Sequence, residues 1–106
     1  MTAMNQNFSM YAGDTKVLQI QVLADKKMDL NAVSVKWGLV KKDGPVILLK
    51  TTPAIQTANN TITITLLPED TKHLLGDYNH ECEITDPEGV VSTVTNGTVT
   101  IKKDLI

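Results

Sequence analysis

The chain has 106 residues, of which 42% are hydrophobic and 21% charged, and its formal net charge is −2. This length and composition predict one globular domain with an ordinary core, and the weak net charge gives no electrostatic reason to expect nucleic acid or an anionic membrane as partner. One cysteine cannot make an intrachain disulfide or a thiolate metal cluster.

The sequence carries no targeting signal that we can recognise. No apolar run approaches the ~20 residues that a membrane-spanning helix needs. The first thirteen residues, MTAMNQNFSMYAG, have neither a basic segment nor an apolar centre, so no secretory signal is expected. The single cysteine suits synthesis in a reducing cytoplasm.

Most of the chain alternates apolar and polar residues with a period of two, which predicts half-buried β-strands. We expect residues 1–7 to be disordered, 8–102 to form a single β-sandwich domain and 103–106 to be a tail. Asn96-Gly97 is read as either a bulge or a tight turn, and Met28–Ala32 as a connection that docks Leu30 on the core. The alternating segments are Phe8–Met10, Lys16–Leu23, Val33–Leu39, Thr61–Leu66, Tyr78–Thr85, Val90–Thr95 and Thr98–Lys102, and Val46–Lys50 is a further strand that departs from the alternation.

The stretch from Leu66 to Gly89 organises the prediction. Pro68 and the acids after it are typical of a helix start, and Gly76 predicts that this helical turn ends by Leu75. Gly76 and Tyr78 then resemble the tyrosine corner of Greek-key sandwiches. The inward face of the strand that follows is expected to carry Tyr78, His80, Cys82 and Ile84.

These elements predict an all-β fold. Seven or eight short strands separated by turn residues are typical of an antiparallel β-sandwich or small barrel. A parallel α/β sheet is excluded, because each crossover needs a dozen or more residues and no long amphipathic helix is present. The only helix expected is the short turn near residues 68–75.

No residue pattern predicts catalysis or metal binding. His73, His80 and Cys82 are the only possible metal constellation, but His80 and Cys82 share an apolar strand face and two further ligands are lacking nearby. A thiol in the middle of such a strand is expected to be protonated and inert, and no serine lies in a nucleophile elbow. We therefore expect no catalytic residue, no metal and no cofactor, with Trp37, Gly76, Tyr78, His80 and Cys82 serving the core and the corner.

The segment from Val46 to Leu49 departs from the pattern because it is apolar on both faces. If Val46 and Leu48 face the core, then Ile47 and Leu49 face outward, on the same side as Val40. A second apolar face needs a cover. One alternative is that a loop or the Met1–Met10 segment folds over it. The other is that Val40, Ile47 and Leu49 form a subunit interface.

Read end to end, the sequence resembles a family of small immunoglobulin-like phage and prophage proteins, similar to the N-terminal domain of the baseplate upper protein of tailed phages. The resemblance covers nearly the whole chain and depends on the order and spacing of its pieces. These are Phe8–Tyr11, Gly13–Thr15, Met28–Ala32, Val35–Trp37, Leu48–Thr51, Leu66–Thr71, Gly76–Glu81, Asp86–Gly89, Thr93-Val94 and Gly97–Ile101.

The resemblance implies an immunoglobulin-like β-sandwich that acts as a non-enzymatic structural or assembly protein of the virion, in the tail or baseplate. It would be made in the host cytoplasm, form a homo-oligomer and contact other virion proteins. Two alternatives stay open, namely a capsid decoration protein and a module that binds carbohydrate on the host surface.

Overall fold

The computed structural model describes residues 4–22, 33–52, 55–58 and 61–105. Nearly every element in these ranges is a strand, and the exception is one short helix. In chain order the elements are β1 (Met4–Asn5), β2 (Phe8–Tyr11), β3 (Lys16–Gln21), β4 (Ser34–Lys41), β5 (Val46–Thr51), β6 (Gln56–Ala58), β7 (Thr61–Leu66), α1 (Pro68–Thr71), β8 (Gly76–Thr85) and β9 (Val91–Lys102).

The strands form two sheets that pack face to face. The larger sheet has the order β1-β9-β8-β4-β5, with β2 also on β9, and the smaller sheet has the order β3-β7-β6. All pairs are antiparallel except those that β1 and β2 make with β9. The predicted immunoglobulin-like antiparallel β-sandwich with one short helical turn is confirmed.

The core lies between the two sheets and is built by the inward residues of the alternating segments. Trp37 and Leu39 of β4 and Cys82 of β8 have no exposed surface. They face an aliphatic layer from the smaller sheet. That layer comprises Leu18, Ile20, Ile62, Ile64 and Leu66.

Helix α1 is shorter than the sequence predicts. The Asp70 carboxylate accepts a hydrogen bond from the Leu67 amide at 2.7 Å, which satisfies a donor at the helix start. The helix ends at Thr71, and Gly76 opens β8 with a φ of +104° instead of capping the helix. The Tyr78 hydroxyl donates to the Leu75 carbonyl at 3.1 Å, which is the hydrogen bond of a tyrosine corner.

The N-terminal segment has more structure than the expected disordered stretch. Strands β1 and β2 follow one continuous parallel register along β9, from Met4 opposite Thr95 to Tyr11 opposite Lys102. Backbone hydrogen bonds with β9 order this polar segment. The alternation of apolar and polar residues does not reveal such pairing. Residues 1–3, the predicted connection Met28–Ala32 and Ile106 of the predicted tail lie outside the described residues.

Gly97 is neither in a bulge nor in a turn, contrary to both sequence alternatives. Strand β9 runs through it, and the pairing with β8 shifts instead beside Cys82, where Val94 and Thr95 are both buried. Gly97 is required for space. A Cβ built on it would meet the carbonyl oxygen of Gln6 and lie 2.7 Å from that carbonyl carbon and 2.8 Å from Asn7 Oδ1.

Within the described residues, no helix is long and apolar enough to span a membrane. The one helix, α1, has four residues and belongs to the corner between the sheets. The buried Thr71 side chain on it accepts a hydrogen bond from the Gly13 amide at 3.0 Å. This bond ties α1 to the turn between β2 and β3.

We predict that Gly97→Ala destabilises the fold, because the new methyl group would push the Gln6 backbone away from β9. Overpacking of this kind costs about 1–3 kcal/mol, and urea denaturation measures the change in the free energy of unfolding. Gly38→Ala in β4 is the matched control, since its Cβ would meet no atom closer than 3.9 Å. Equal stability of the two variants would contradict the close approach at Gly97.

Candidate functional site

His80 forms the centre of a buried polar chain across the larger sheet. The Trp37 indole Nε1–H on β4 donates to His80 Nδ1 on β8 at 3.1 Å. His80 Nε2 lies 2.5 Å from the carbonyl oxygen of Gln6, in the segment between β1 and β2. The ring of Phe8 packs edge-on against the imidazole, with centroids 5.3 Å apart. The histidine therefore links three segments of the sheet.

The partners of His80 fix its protonation state. An indole nitrogen can only donate, so Nδ1 must be the acceptor and Nε2 must carry the proton that it donates to Gln6. If Nδ1 were protonated, its N–H and the indole N–H of Trp37 would be two donors facing each other without an acceptor. Burial lowers the pKa of His80 below its ordinary value of 6.5, while the hydrogen bond to the Gln6 backbone raises it by less. The ring is neutral and serves the structure.

Asn7 makes it possible for the Gln6 carbonyl to reach His80. In a regular parallel ladder the Thr98 amide would bond to the carbonyl of Gln6. Here the Thr98 amide donates to Asn7 Oδ1 at 2.9 Å instead. The Gln6 carbonyl is thereby released towards the sheet interior, and the missing side chain of Gly97 leaves room for it.

Cys82 and His73 do not join His80 in a reactive site. Cys82 has no exposed surface. Burial, and then the Glu83 carboxylate, raise the pKa of its thiol to about 12, so the thiolate is scarcely populated at neutral pH. His73 is exposed next to α1. Among the residues that the structure describes, no three His, Cys, Asp or Glu side chains are grouped as metal ligands would be.

Three acidic side chains on α1, on β8 and in the turn before β9 have structural partners. Asp70 binds the Lys50 ammonium at 2.8 Å. Glu81 accepts a hydrogen bond from the Thr93 hydroxyl at 2.9 Å across the outer face of β8 and β9. Asp86 accepts bonds from two backbone amides, those of Glu88 and Val90, at 2.9 Å each in the turn before β9. These contacts give each of the three carboxylates a structural role in the helix start, the sheet or the turn.

The outer face of the β4–β5 hairpin carries an exposed aliphatic patch, which we define as Val40, Val46, Ile47 and Leu49. The side chains of Val46 and Leu49 lie within 4.0 Å of the position that a Cβ on Gly38 would occupy. Val46 is 57% exposed, Ile47 37% and Leu49 53%. Val40 is half-buried beside them.

The inclusion of Val46 corrects the sequence prediction, which placed it in the core. The register of β5 on β4 shifts between Leu39 and Val40, so Val46 and Ile47 together oppose Val40. This bulge adds one residue to β5 and moves Val46 to the outer face. A regular period of two does not reveal such an insertion.

One sequence alternative is that the Met1–Met10 segment folds over the aliphatic patch, but residues 4–10 do not cover it. They pair with β9 at the opposite edge of the larger sheet. The exposures of Val46 and Leu49 show that the patch faces solvent. It remains the strongest candidate for an interaction surface.

A shallow polar groove of about 500 Å³ adjoins the patch on the same outer face. Val40 lies at the border between them. His80 and Gly97 also line it, and the remaining side chains are amides, a carboxylate and a hydroxyl, so the groove could hold a neutral polar ligand by hydrogen bonds. These remaining residues are Asn7, Asn79, Glu81, Asn96 and Thr98.

Comparison with known proteins supports the fold alone. No protein-family model matches the chain, and no curated protein matches its sequence. Among solved structures, the chain is similar to the crystal structure of CopC from Methylosinus trichosporium OB3b, with a TM-score of 0.55 and 9% identity, over 99% of this chain and 89% of that chain. At this identity the similarity shows a shared Greek-key, immunoglobulin-like β-sandwich.

We predict that stability falls between neutral and mildly acidic pH because of His80. Its lowered pKa means that the unfolded chain binds more protons than the folded one between the folded pKa and 6.5. The free energy of unfolding is therefore full above about pH 6.5 and falls as the pH drops through the folded pKa. Each unit of pKa difference contributes about 1.4 kcal/mol.

Urea denaturation at pH 7.5, 6.5 and 5.5 measures this loss. His80→Gln removes the titrating ring and should flatten the profile, although the variant starts less stable. His73→Gln, at the exposed histidine, should keep the wild-type profile. A His80→Gln profile that falls as steeply as the wild-type profile would refute the assignment.

Proposed function

We propose that this protein is a non-enzymatic structural module of the virion of a tailed phage or prophage, in the tail or baseplate, and that it assembles through the aliphatic patch on its β4–β5 hairpin. The observation that carries the proposal is the patch itself. Val46, Ile47 and Leu49 are exposed together at the edge of a folded sheet, where a lone soluble domain gains nothing from them.

The construction of the sandwich supports an assembly role. Apart from the patch, most side chains on the outer face of the larger sheet are polar, such as Lys36, Asn79, Glu81, Thr98 and Thr100. The exposed Tyr11 and Val91 lie on β2 and β9, away from the β4–β5 hairpin. A confined apolar area with a polar rim is the usual anatomy of a protein interface. The end-to-end resemblance to small immunoglobulin-like phage proteins supplies the kind of assembly.

The surroundings of His80 and Cys82, the two most reactive side chains, also favour a structural role. Trp37 and Gln6 engage both ring nitrogens of His80, and the Cys82 thiol is buried with a pKa raised to about 12. Both residues are used to hold the larger sheet together. We therefore propose a protein that works by binding other proteins.

The polar groove favours a second candidate, a module that binds carbohydrate on the host surface. Asn79, Asn96 and Glu81 offer the amide and carboxylate groups that hydrogen-bond sugar hydroxyls. If this function is correct, Asn79→Ala with Asn96→Ala should abolish binding to host cell-wall polysaccharide, while variants of the aliphatic patch bind normally. Calorimetric titration with purified polysaccharide measures the difference.

For the virion function, we predict that Ile47→Asp with Leu49→Lys lowers incorporation into particles at least tenfold, because it places charges in a desolvated interface. Quantitative mass spectrometry of purified particles, separated into heads and tails, measures the copy number. Val17→Lys is the control, since Val17 is as exposed as Leu49 (52% and 53%) but lies on the smaller sheet.

The outcomes separate the candidate functions. Wild-type peptides in the tail fraction support the proposal, and peptides in the head fraction favour a capsid decoration protein. If the wild-type protein is missing from particles, the virion function is wrong. Normal incorporation of a folded double variant would show that the patch is not the assembly surface.

A further inference from the structure

Strand β5 forms an open edge of the larger sheet. Among the described residues it pairs only with β4. The Thr52 amide donates to the Val35 carbonyl of β4 at 3.1 Å, and backbone directions alternate along an antiparallel strand. The N–H and C=O groups of Leu49 and the N–H of Thr51 therefore point away from β4, towards the open side. The Thr51 carbonyl accepts a hydrogen bond from the Ile55 amide at 3.2 Å.

This edge is only partly protected against pairing. Natural sheets guard their edges with short strands, proline, bulges and charged side chains. β5 has six residues, VILLKT, and no proline, and its bulge lies at Val46 and Ile47, which leaves the run from Leu48 to Thr51 regular. Its single lysine, Lys50, lies opposite Trp37 and is neutralised by Asp70 at 2.8 Å. The edge strand β6 of the other sheet has only three residues, and the edge strand β3 carries Gln19 and Gln21 among its exposed side chains.

We propose that β5 pairs antiparallel with β5 of a second copy of this chain, about a two-fold axis at Leu49, so that the two larger sheets join into one. The inference rests on the proposed function and names the partner of its assembly surface. In this register Leu49 meets the partner's Leu49 on the outer face, and the half-buried Leu48 lies opposite the aliphatic stem of the partner's Lys50. The two aliphatic patches become one continuous surface.

The charges around the edge suit a second copy. Asp70 neutralises Lys50, so no net charge of β5 is brought to the axis. Antiparallel pairing also directs the exposed hairpin tip, Lys41 and Lys42 with Asp43, towards the end of the partner's β5 that lies beside the partner's helix start, where Glu69 remains after Asp70 has bound Lys50. The positively charged tip and Glu69 therefore carry opposite charges at both ends of the interface.

The size of the contact sets the strength of the association. Pairing along one six-residue strand covers less than the ~1,600 Å² of a standard stable interface. We therefore expect weak association of the free chain, which becomes firm where copies are concentrated in an assembly. A covalent trap measures such weak pairing better than equilibrium mass does.

The test is disulfide trapping with single cysteines added to the full chain. A hydrogen-bonded antiparallel pair holds its Cα atoms about 5.5 Å apart, which a disulfide can bridge. Leu49→Cys should give a disulfide-linked dimer at least tenfold faster than the controls under mild oxidation. The native Cys82 gives no background, because it is fully buried and its pKa is raised to about 12.

Two controls have matched exposure. Val17→Cys (52% exposed) reports chance collisions on the other sheet, and Val46→Cys (57% exposed) reports side-chain contact within the patch. Val46 lies three residues from the proposed axis, so two copies of Val46→Cys would be roughly 20 Å apart at ~3.4 Å per residue. If Leu49→Cys links no faster than either control, the edge pairing is wrong.

A second pair of variants tests the backbone. Thr51→Pro removes an amide that points to the open edge and leaves the β4–β5 ladder intact. In the Leu49→Cys background it should abolish the dimer, while Thr51→Ala should keep it. Equal linking of the two would show contact through side chains alone and overturn the proposal. Either failure leaves the particle-incorporation result untouched, so the inference and the proposed function can fail separately.

Discussion

The hydrogen-bonded chain from Trp37 through His80 to Gln6 is the constraint on which the larger sheet depends. It spans β4, β8 and the N-terminal segment and passes β9 at the one residue that has no side chain, Gly97. A hydrogen bond contributes only about 1 kcal/mol net, but a buried polar group without a partner costs about 1–3 kcal/mol. The indole, the imidazole and the carbonyl are therefore retained as a set, because loss of one leaves the others unsatisfied.

This constraint divides the larger sheet into a fixed side and an open side. At one edge, β1 and β2 are held to β9 by a parallel ladder, by the Asn7 side chain and by the contact with His80. At the other edge, β5 has a neighbouring strand on one side only, among the described residues. The aliphatic patch lies at the open edge. The interior fixes the sandwich, and the outer hairpin is left for recognition.

The sequence predicts the fold class and most of the strands because each depends on local alternation. The inward face from Tyr78 to Ile84 is an example, since all four of its residues are buried. The features that the sequence does not predict arise from the path of the backbone. Asn96-Gly97 is typical of a tight turn, and only the approach of Gln6 explains why the glycine lies inside a strand. Val46 changes face because a bulge adds one residue, which leaves no mark on composition.

The same distinction holds for the candidate surface. Ile47 and Leu49 stand out in the sequence as surplus aliphatic residues, and both are exposed. The groove formed by Asn7, Asn79, Asn96 and Thr98 leaves no such signal, because isolated asparagines and threonines are ordinary surface residues. Their grouping depends on which strands are neighbours. Pairing of residues 4–11 with residues 95–102 brings it about.

The parallel pairing of β1 and β2 with β9 has a consequence for biosynthesis. Asn7 and Thr98 are separated by 91 positions, and contacts of such high sequence separation form late and slowly. During translation the residues of β8 leave the ribosome before those of β9. At that stage the sheet around His80 is still incomplete. The domain can close only after β9 has left the ribosome, when residues 4–11 dock against it.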